Sequence, residues 1–396
     1  MTKQKLLRYT IALALIIIIV IEVFNLTRPF AQTSASLASL DTPKPAAASL
    51  PWPSGQMALG TTEDGLLAIH GQQTPAPIAS IAKVITALSV LQKSPLKSGE
   101  QGPTITLTDN DVAIYQKYAA EDGSLVPVTA GQQITEYQAL QAMMLPSANN
   151  IADSLAIWQF GSISTYTTYA NSYVKSLGMT GTTVSDASGF SPQTVSTASD
   201  LFKLAYAAMG NPVIADLVSQ RVADSPAFGT IYNVSDSILG SDGIVGIKTG
   251  NTDQAGGCFM FAAKHTIDGQ TKTIIGAVVG DPDLSSALSD SQTIIKNVDA
   301  NFTLVEPVKA GQVVATYKTK WGKTYQAIAT KDVKMLVWKD KTPSVKENIK
   351  PIKTPATKGQ NVGTVQLSSG TTTASSGVIL KTDVPKPPIT WRLTHF

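Results

Sequence analysis

Ser80 and Lys83 set a hydroxyl and an amine three positions apart at the start of a strongly apolar run, Ile78–Leu91. Wound as a helix, that spacing brings both side chains to one face, within reach of each other. A lysine at the edge of an apolar core holds its proton weakly, because burial disfavours the charged form. Such an amine can take the proton of a serine hydroxyl, which is otherwise a weak nucleophile. The helix start also offers the Ser80 backbone N–H as an oxyanion donor. This is equipment for nucleophilic catalysis by serine. The spacing recurs at Ser94–Lys97, which contains Pro95 in a polar loop, and at Ser172–Lys175, which has no partner motifs in order behind it.

Two further groups give the first pair its context. Ser147-Ala148-Asn149 follows Met143-Met144-Leu145-Pro146, so a proline punctuates an apolar helix just before a polar turn. A hydroxyl and an amide projecting from that turn can relay a proton and hold a peptide amide. The same residues also suit a plain N-cap for a helix over Asn150–Trp158. Lys248-Thr249-Gly250 occurs once and ends a strand-like run from Gly243. A cation and a hydroxyl there can bind a carboxylate, while Gly250 admits close backbone approach. The alternative is an ordinary strand ending.

These groups need elements to carry them. Met57–Thr61 and Leu66–His70 read as a hairpin around Glu63-Asp64-Gly65. Ile78–Leu91 is apolar all round, the mark of a buried helix. Helical patterns follow around 132–160, 164–177 and 198–219, then strand-like runs at Ile244–Thr249, Cys258–Ala263 and Thr273–Val279, and a closing helix over Leu284–Asn301. Strands at both ends with helices between them predict a mixed α/β (α+β) domain over 57–301, built on an antiparallel sheet with a helical subdomain. From Phe302, β-prone runs alternate with Gly and Pro (312–317, 327–330, 333–337, 362–367 and 378–380), which predicts a small all-β domain over 302–384. The tail, 385–396, is broken by proline, and no amphipathic helix is expected in it. Cys258 reads as a buried core thiol.

Composition sets the class and compartment. The chain has 396 residues, 43% hydrophobic and 15% charged, which excludes a wholly disordered protein. One cysteine and three scattered histidines, His70, His265 and His395, argue against a disulfide framework and a metal site. Lys3, Lys5 and Arg8 precede the unbroken apolar run Ile11–Ile21, the form of an export signal or membrane anchor over residues 1–31. We expect an uncleaved anchor, a Ser/Ala/Pro-rich linker over 32–56, and an extracytoplasmic body; a cleaved signal would leave a secreted one. Residues 301–396 carry 15 Lys/Arg and 5 Asp/Glu, a net of +10, whereas residues 1–300 carry −7. Such a basic module suits anionic wall polymer or lipid, or is simply a solvated surface. It is exported and lacks a recognisable nucleic-acid motif, so no nucleic-acid partner is expected.

The order Ser-x-x-Lys, Ser-x-Asn, Lys-Thr-Gly is that of penicillin-binding proteins and class A β-lactamases. With Leu177-Gly178-Met179, Ser188-Gly189-Phe190, Ser196–Asp200 and Lys248–Thr252 leading to Ala255-Gly256, the chain resembles the serine D-alanyl-D-alanine carboxypeptidases, the low-molecular-mass penicillin-binding proteins, over about residues 55–300. The resemblance implies a fold of the β-lactamase/DD-peptidase kind. It implies that Ser80 attacks the bond between two terminal D-alanines of a peptidoglycan stem peptide, with Lys83 as base. Ser147 would relay a proton to the leaving amine, and Asn149 would orient Lys83 or the substrate amide. Lys248 and Thr249 would hold the terminal carboxylate beside Gly250, with the Asn251 N–H completing the oxyanion hole. β-Lactams would then be covalent inhibitors, and no cofactor or metal would be needed. Ala82 stands where the family often has Thr, and Asn251 where His is frequent. No Glu occurs between Glu136 and Glu306, so the deacylating glutamate of class A β-lactamases is absent. A DD-endopeptidase, a β-lactamase-like acyl hydrolase or a catalytically silent wall-binding protein are the competing readings.

Overall fold

The computed structural model describes residues 2–30, 32–40 and 46–395. The chain forms two compact units, one spanning Ala47–Phe302, the other combining the N-terminal 46 residues with the stretch from Thr303 onward.

In the first unit, five antiparallel strands lie in the spatial order Ile244–Thr252, Gly256–Ile267, Gln270–Asp281, Gln56–Thr61, Gly65–His70. The strand that carries Lys248-Thr249-Gly250 is therefore at one edge. Cys258–Ala263 are all buried, so both faces of the neighbouring strand are covered. Helix Leu284–Val298 packs on the two long central strands, and helix Ala198–Met209 packs on the same region and on Gln56–Thr61. This matches the expected α/β architecture.

The apolar run at 78–91 becomes a short 3-10 turn, Ala79–Ile81, followed by the α-helix Ala82–Lys93. Every residue from Ala82 to Leu91 is buried, which makes this the axis of the helical layer. Around it stand Glu136–Met144, Asn149–Phe160 and Ile163–Ser176. The pattern over 198–219 divides into two helices at Gly210-Asn211-Pro212, because Asn211 caps the second by accepting from the N–H of Val213 and Ile214, and Pro212 opens it.

The second unit holds a six-stranded antiparallel sheet, in the order Ala35–Leu37, Val313–Lys318, Thr324–Ala329, Thr372–Leu380, Asn361–Ser369, Ser344–Ile349, and a two-stranded ribbon of Phe302–Val308 with Val333–Trp338. Its core includes Val314, Tyr317, Val365 and Leu380. The all-β expectation thus agrees with the fold. Two strands, Phe302–Val308 and Ser344–Ile349, have no counterpart among the sequence runs; Pro307 interrupts the first and alternating polar residues dilute the second.

Two segments differ from expectation. Within the stretch read as a linker, Ala35–Leu37 pairs with Ala315–Tyr317 as an edge strand, and Thr33 bridges to Ile352. Edge pairing is made by backbone hydrogen bonds, so a Ser/Ala-rich segment can join a sheet with no apolar pattern to announce it. The linker residues Asp41–Pro45 lie outside the described residues, as does Phe396 of the tail. That tail, in which the sequence predicts no amphipathic helix, carries a short six-residue helix, Ile389–Thr394, beginning after the last proline. At the other end, the apolar run is a 25-residue helix, Lys3–Thr27, with almost all of its side chains exposed.

Candidate active site

Ser80 sits on the 3-10 turn, half-buried, between the central helix and the edge strand. The turn is tightly cornered. Ala79 has a left-handed φ of 45°. A Cβ on Gly189 would lie 1.8 Å from the Ala79 carbonyl oxygen, and one on Gly250 would lie 2.7 Å from that of Ile78. Glycine at both positions lets a loop and the edge strand close on the nucleophile's turn from two sides.

Lys83 is completely buried one turn further on. Its Nζ donates to Ser80 Oγ at 2.8 Å, to Asn149 Oδ1 at 2.7 Å and to the Ser188 carbonyl at 2.9 Å. The last two partners only accept. A neutral amine therefore spends its two N–H groups on them and turns its lone pair to the Ser80 hydroxyl. Burial, reinforced by the nearby Lys248 charge, pushes the Lys83 ammonium well below its usual range; Asp186 and Asp153 oppose that shift. Geometry and electrostatics both equip Lys83 to receive the Ser80 proton.

Asn149 is the first residue of the helix Asn149–Phe160. Ala148 takes the N-cap position, and no side chain caps the helix. The Asn149 amide is thus left for Lys83, while its backbone N–H donates to Ser124 O at 2.7 Å. Ser147, preceding it, has a left-handed φ of 65°, is 4% exposed, and its Oγ has no hydrogen-bond partner among the described residues. An unpaired buried hydroxyl is costly, so one held in strained backbone is equipped to bond something that arrives.

On the edge strand, Lys248, Thr249 and Gly250 are buried, and the Asn251 side chain is exposed. Lys248 Nζ donates to the Thr249 carbonyl at 3.3 Å, a long single bond for a buried ammonium. Burial lowers its pKa to about 7. Ser80, Asn149, Gly189 and Asn251 line one small cavity of about 80 Å³ together with Asp122, Gly123 and Ser124. Beside it lies a groove of about 720 Å³, bounded by Lys117, Glu121, Phe190 and the loop Asn251–Gln254. Ser80, Lys83 and Asn149 are thus joined directly; Ser147 makes no hydrogen bond to them.

A second row of groups stands behind Lys83 that the motifs did not single out. Tyr118 Oη donates to Asp153 Oδ2 at 3.0 Å and lies 3.2 Å from Ser188 Oγ, which in turn donates to Asp186 Oδ2 at 3.0 Å. Asp153, one helical turn after Asn149, has its pKa raised to about 6 by burial, and its Oδ1 has no hydrogen-bond partner among the described residues. Only the i, i+4 spacing from Asn149 hints at this residue in the sequence.

Known proteins resemble this chain in sequence and fold. Residues 58–282 match the family described as D-alanyl-D-alanine carboxypeptidase, and residues 302–386 match the C-terminal domain of penicillin-binding protein 5. A D-alanyl-D-alanine carboxypeptidase of Mycobacterium tuberculosis is 30% identical over 244 residues, which are 59% of this chain and 78% of that protein. A D-alanyl-D-alanine endopeptidase of Escherichia coli is 29% identical over 190 residues; the match covers 46% of this chain and spans 58% of that protein's length. Among solved structures, a mutant of a Streptomyces DD-transpeptidase superposes with a TM-score of 0.56 at 25% identity, covering 62% of this chain and 98% of that one. A peptidoglycan synthesis regulatory factor of Streptococcus pneumoniae, at 18% identity, shares the fold over 84% of this chain and all of its own, with a TM-score of 0.61. With the family match covering more than half of its length and the Ser80 turn, the helix start at Asn149 and the edge strand all inside that match, the chain belongs to the D-alanyl-D-alanine carboxypeptidase family.

Proposed function

We propose that this protein removes the terminal D-alanine from peptidoglycan stem peptides through an ester on Ser80. The observation that carries the reading is the buried Lys83 amine, held on two acceptors and aimed at the Ser80 hydroxyl. Neutral Lys83 takes the hydroxyl proton as Oγ attacks the carbonyl between the two D-alanines. The oxyanion is met by the backbone N–H groups of Ser80 and Asn251, a pair of donors of the kind whose loss costs about 10²–10³ in rate. Ser147 passes a proton to the departing amine. Thr249 and protonated Lys248 hold the terminal carboxylate of the leaving D-alanine, and the rest of the stem lies along the edge strand. Water then releases the shortened peptide, with Lys83 again as base. A penicillin ring enters the same chemistry and stays as a long-lived ester, because no glutamate follows Glu136 until Glu306.

The relatives' names divide among carboxypeptidase, endopeptidase and transpeptidase, which share one acyl-enzyme and differ in leaving group and acceptor. We favour hydrolysis of a terminal D-alanine, on the buried lysine beside the carboxylate-binding threonine. In this reading the catalytic unit lies outside the cytoplasmic membrane, anchored by the helix Lys3–Thr27 with Lys3, Lys5 and Arg8 inside; the length and apolar character of that helix support it.

The test uses the full chain in detergent and its Ser80→Ala variant, with a peptide ending Lys-D-Ala-D-Ala. D-alanine release is followed together with intact-mass detection of a penicillin adduct. Release and adduct, both lost in the variant, are expected. An adduct without release would favour the endopeptidase or transpeptidase reading, and neither signal from folded protein would defeat the enzyme reading.

A further inference from the structure

The helix Lys3–Thr27 is about 37 Å long at the usual rise, and a bilayer's hydrocarbon core is about 30 Å thick. With the basic N-terminus on one side, Arg28 emerges in the headgroup layer of the other. Arg28 there lines a cavity of about 470 Å³ with Phe30, Lys320, Trp321, Trp391 and His395. All three of its ionisable residues are basic types, and among the described residues no carboxylate lines it.

The walls are built rather than incidental. Arg28 donates to the His395 carbonyl, and Arg392 donates to the Leu26 carbonyl at the last turn of the apolar helix. The Arg392 guanidinium lies 4.7 Å over the Phe30 ring. Trp391 stacks on His395 at 4.7 Å and meets Trp321 edge-on at 6.1 Å. Indoles are at home in the interfacial layer, where one side is apolar and the other wet. Lys320 is exposed, and among the described residues it has no ion-pair partner. Surface lysines and arginines near an anionic leaflet interact with its headgroups individually.

We infer that this cavity is a binding site for the phosphodiester headgroup of an anionic membrane lipid, with Arg28 and Lys320 on the phosphate and Trp321 and Trp391 against its glycerol and upper acyl carbons. A lipid, rather than a free anion, is favoured by the position of the cavity at the end of an apolar helix and by its two indole walls. The inference rests on the membrane placement proposed above. Retention of the full chain in the membrane fraction after carbonate washing tests that placement; the following titration tests the site alone.

Full-length protein in maltoside micelles is titrated with dioctanoyl phosphatidylglycerol, dioctanoyl phosphatidylcholine or inorganic phosphate, and adducts are counted by native mass spectrometry. A single phosphatidylglycerol adduct, formed at a concentration at least about tenfold lower than the phosphatidylcholine adduct, is expected. Lys320→Glu should erase that preference, since one cation near a headgroup is worth about fivefold and reversal doubles the change. The exposed site of this substitution should leave penicillin acylation and thermal unfolding unchanged, which confirms a folded variant. Equal binding of the two lipids, an unaltered preference in Lys320→Glu, or inorganic phosphate binding as well as phosphatidylglycerol would each overturn the assignment.

Discussion

Burial lowers the pKa of both lysines of the site, and the Lys248 charge lowers that of Lys83 further. In the proposed mechanism Lys83 works as a base when neutral, so acylation should rise with pH through its lowered pKa. In the same mechanism Lys248 binds a carboxylate when charged, and with a pKa lowered to about 7 by burial it loses that charge as pH rises further. The kcat/KM for a peptide with a free terminal carboxylate should therefore fall as pH climbs past 7, since kcat/KM reports the free enzyme. Under saturating substrate the bound carboxylate keeps Lys248 charged, and the basic limb of kcat should move upward. Steady-state profiles of the two parameters check both. Asp153 acts on Lys83 from behind: ionised, it stabilises the ammonium. Asp153→Asn should thus shift the acid limb of penicillin acylation to lower pH, while a purely structural loss would lower the plateau and leave the limb in place. The Ser-x-x-Lys spacing foretold the contact between Ser80 and Lys83. Nothing local revealed that Ser188, 105 residues further on, supplies the carbonyl that holds Lys83.

At the scale of elements, the site is a junction of three short pieces: a 3-10 turn, an uncapped helix start and the edge of a sheet. Their closeness depends on missing side chains. Gly250→Ala would drive a Cβ against the Ile78 carbonyl and part the edge strand from the turn that bears Ser80. A displacement of about 1 Å between reacting groups can cost about 10²-fold. Penicillin acylation of Gly250→Ala should fall by that order, measured by stopped-flow or quenched mass analysis. Gly189→Ala should do worse, because its Cβ would overlap the Ala79 carbonyl and its own φ of 73° is left-handed; lower thermal stability is expected alongside lost acylation. Element types were legible wherever periodicity was strong, as in Ile78–Leu91 and the three long strands. They were hidden where an element is recruited by backbone pairing alone, as with Ala35–Leu37. Breaks were legible at Pro146 and less so at Asn211, whose capping role depends on the geometry of the turn.

For the whole molecule, the charge division of −7 and +10 places most positive surface on the part that follows residue 300. If that surface engages anionic wall polymer, binding of the full chain to isolated wall material should weaken steeply between about 50 and 200 mM salt; a flat response would leave it a solvated face. Deleting residues 2–27 should move the protein to the soluble fraction with penicillin acylation intact, since the acylation groups all lie within Ala47–Phe302. What the sequence by itself determined is the order and chemistry of the motif residues, one long apolar N-terminal helix, and the succession of an α/β body and a β-rich module. Those follow from residue type and local period, which act over a few positions at a time. What only the tertiary structure decided is which groups meet: the Ser188 carbonyl and Asn149 amide on Lys83, Asp153 and Tyr118 behind it, and the glycines that let the edge strand close on Ser80. Such contacts join positions tens to more than a hundred residues apart, and their energies depend on burial, which exists only once the chain has folded.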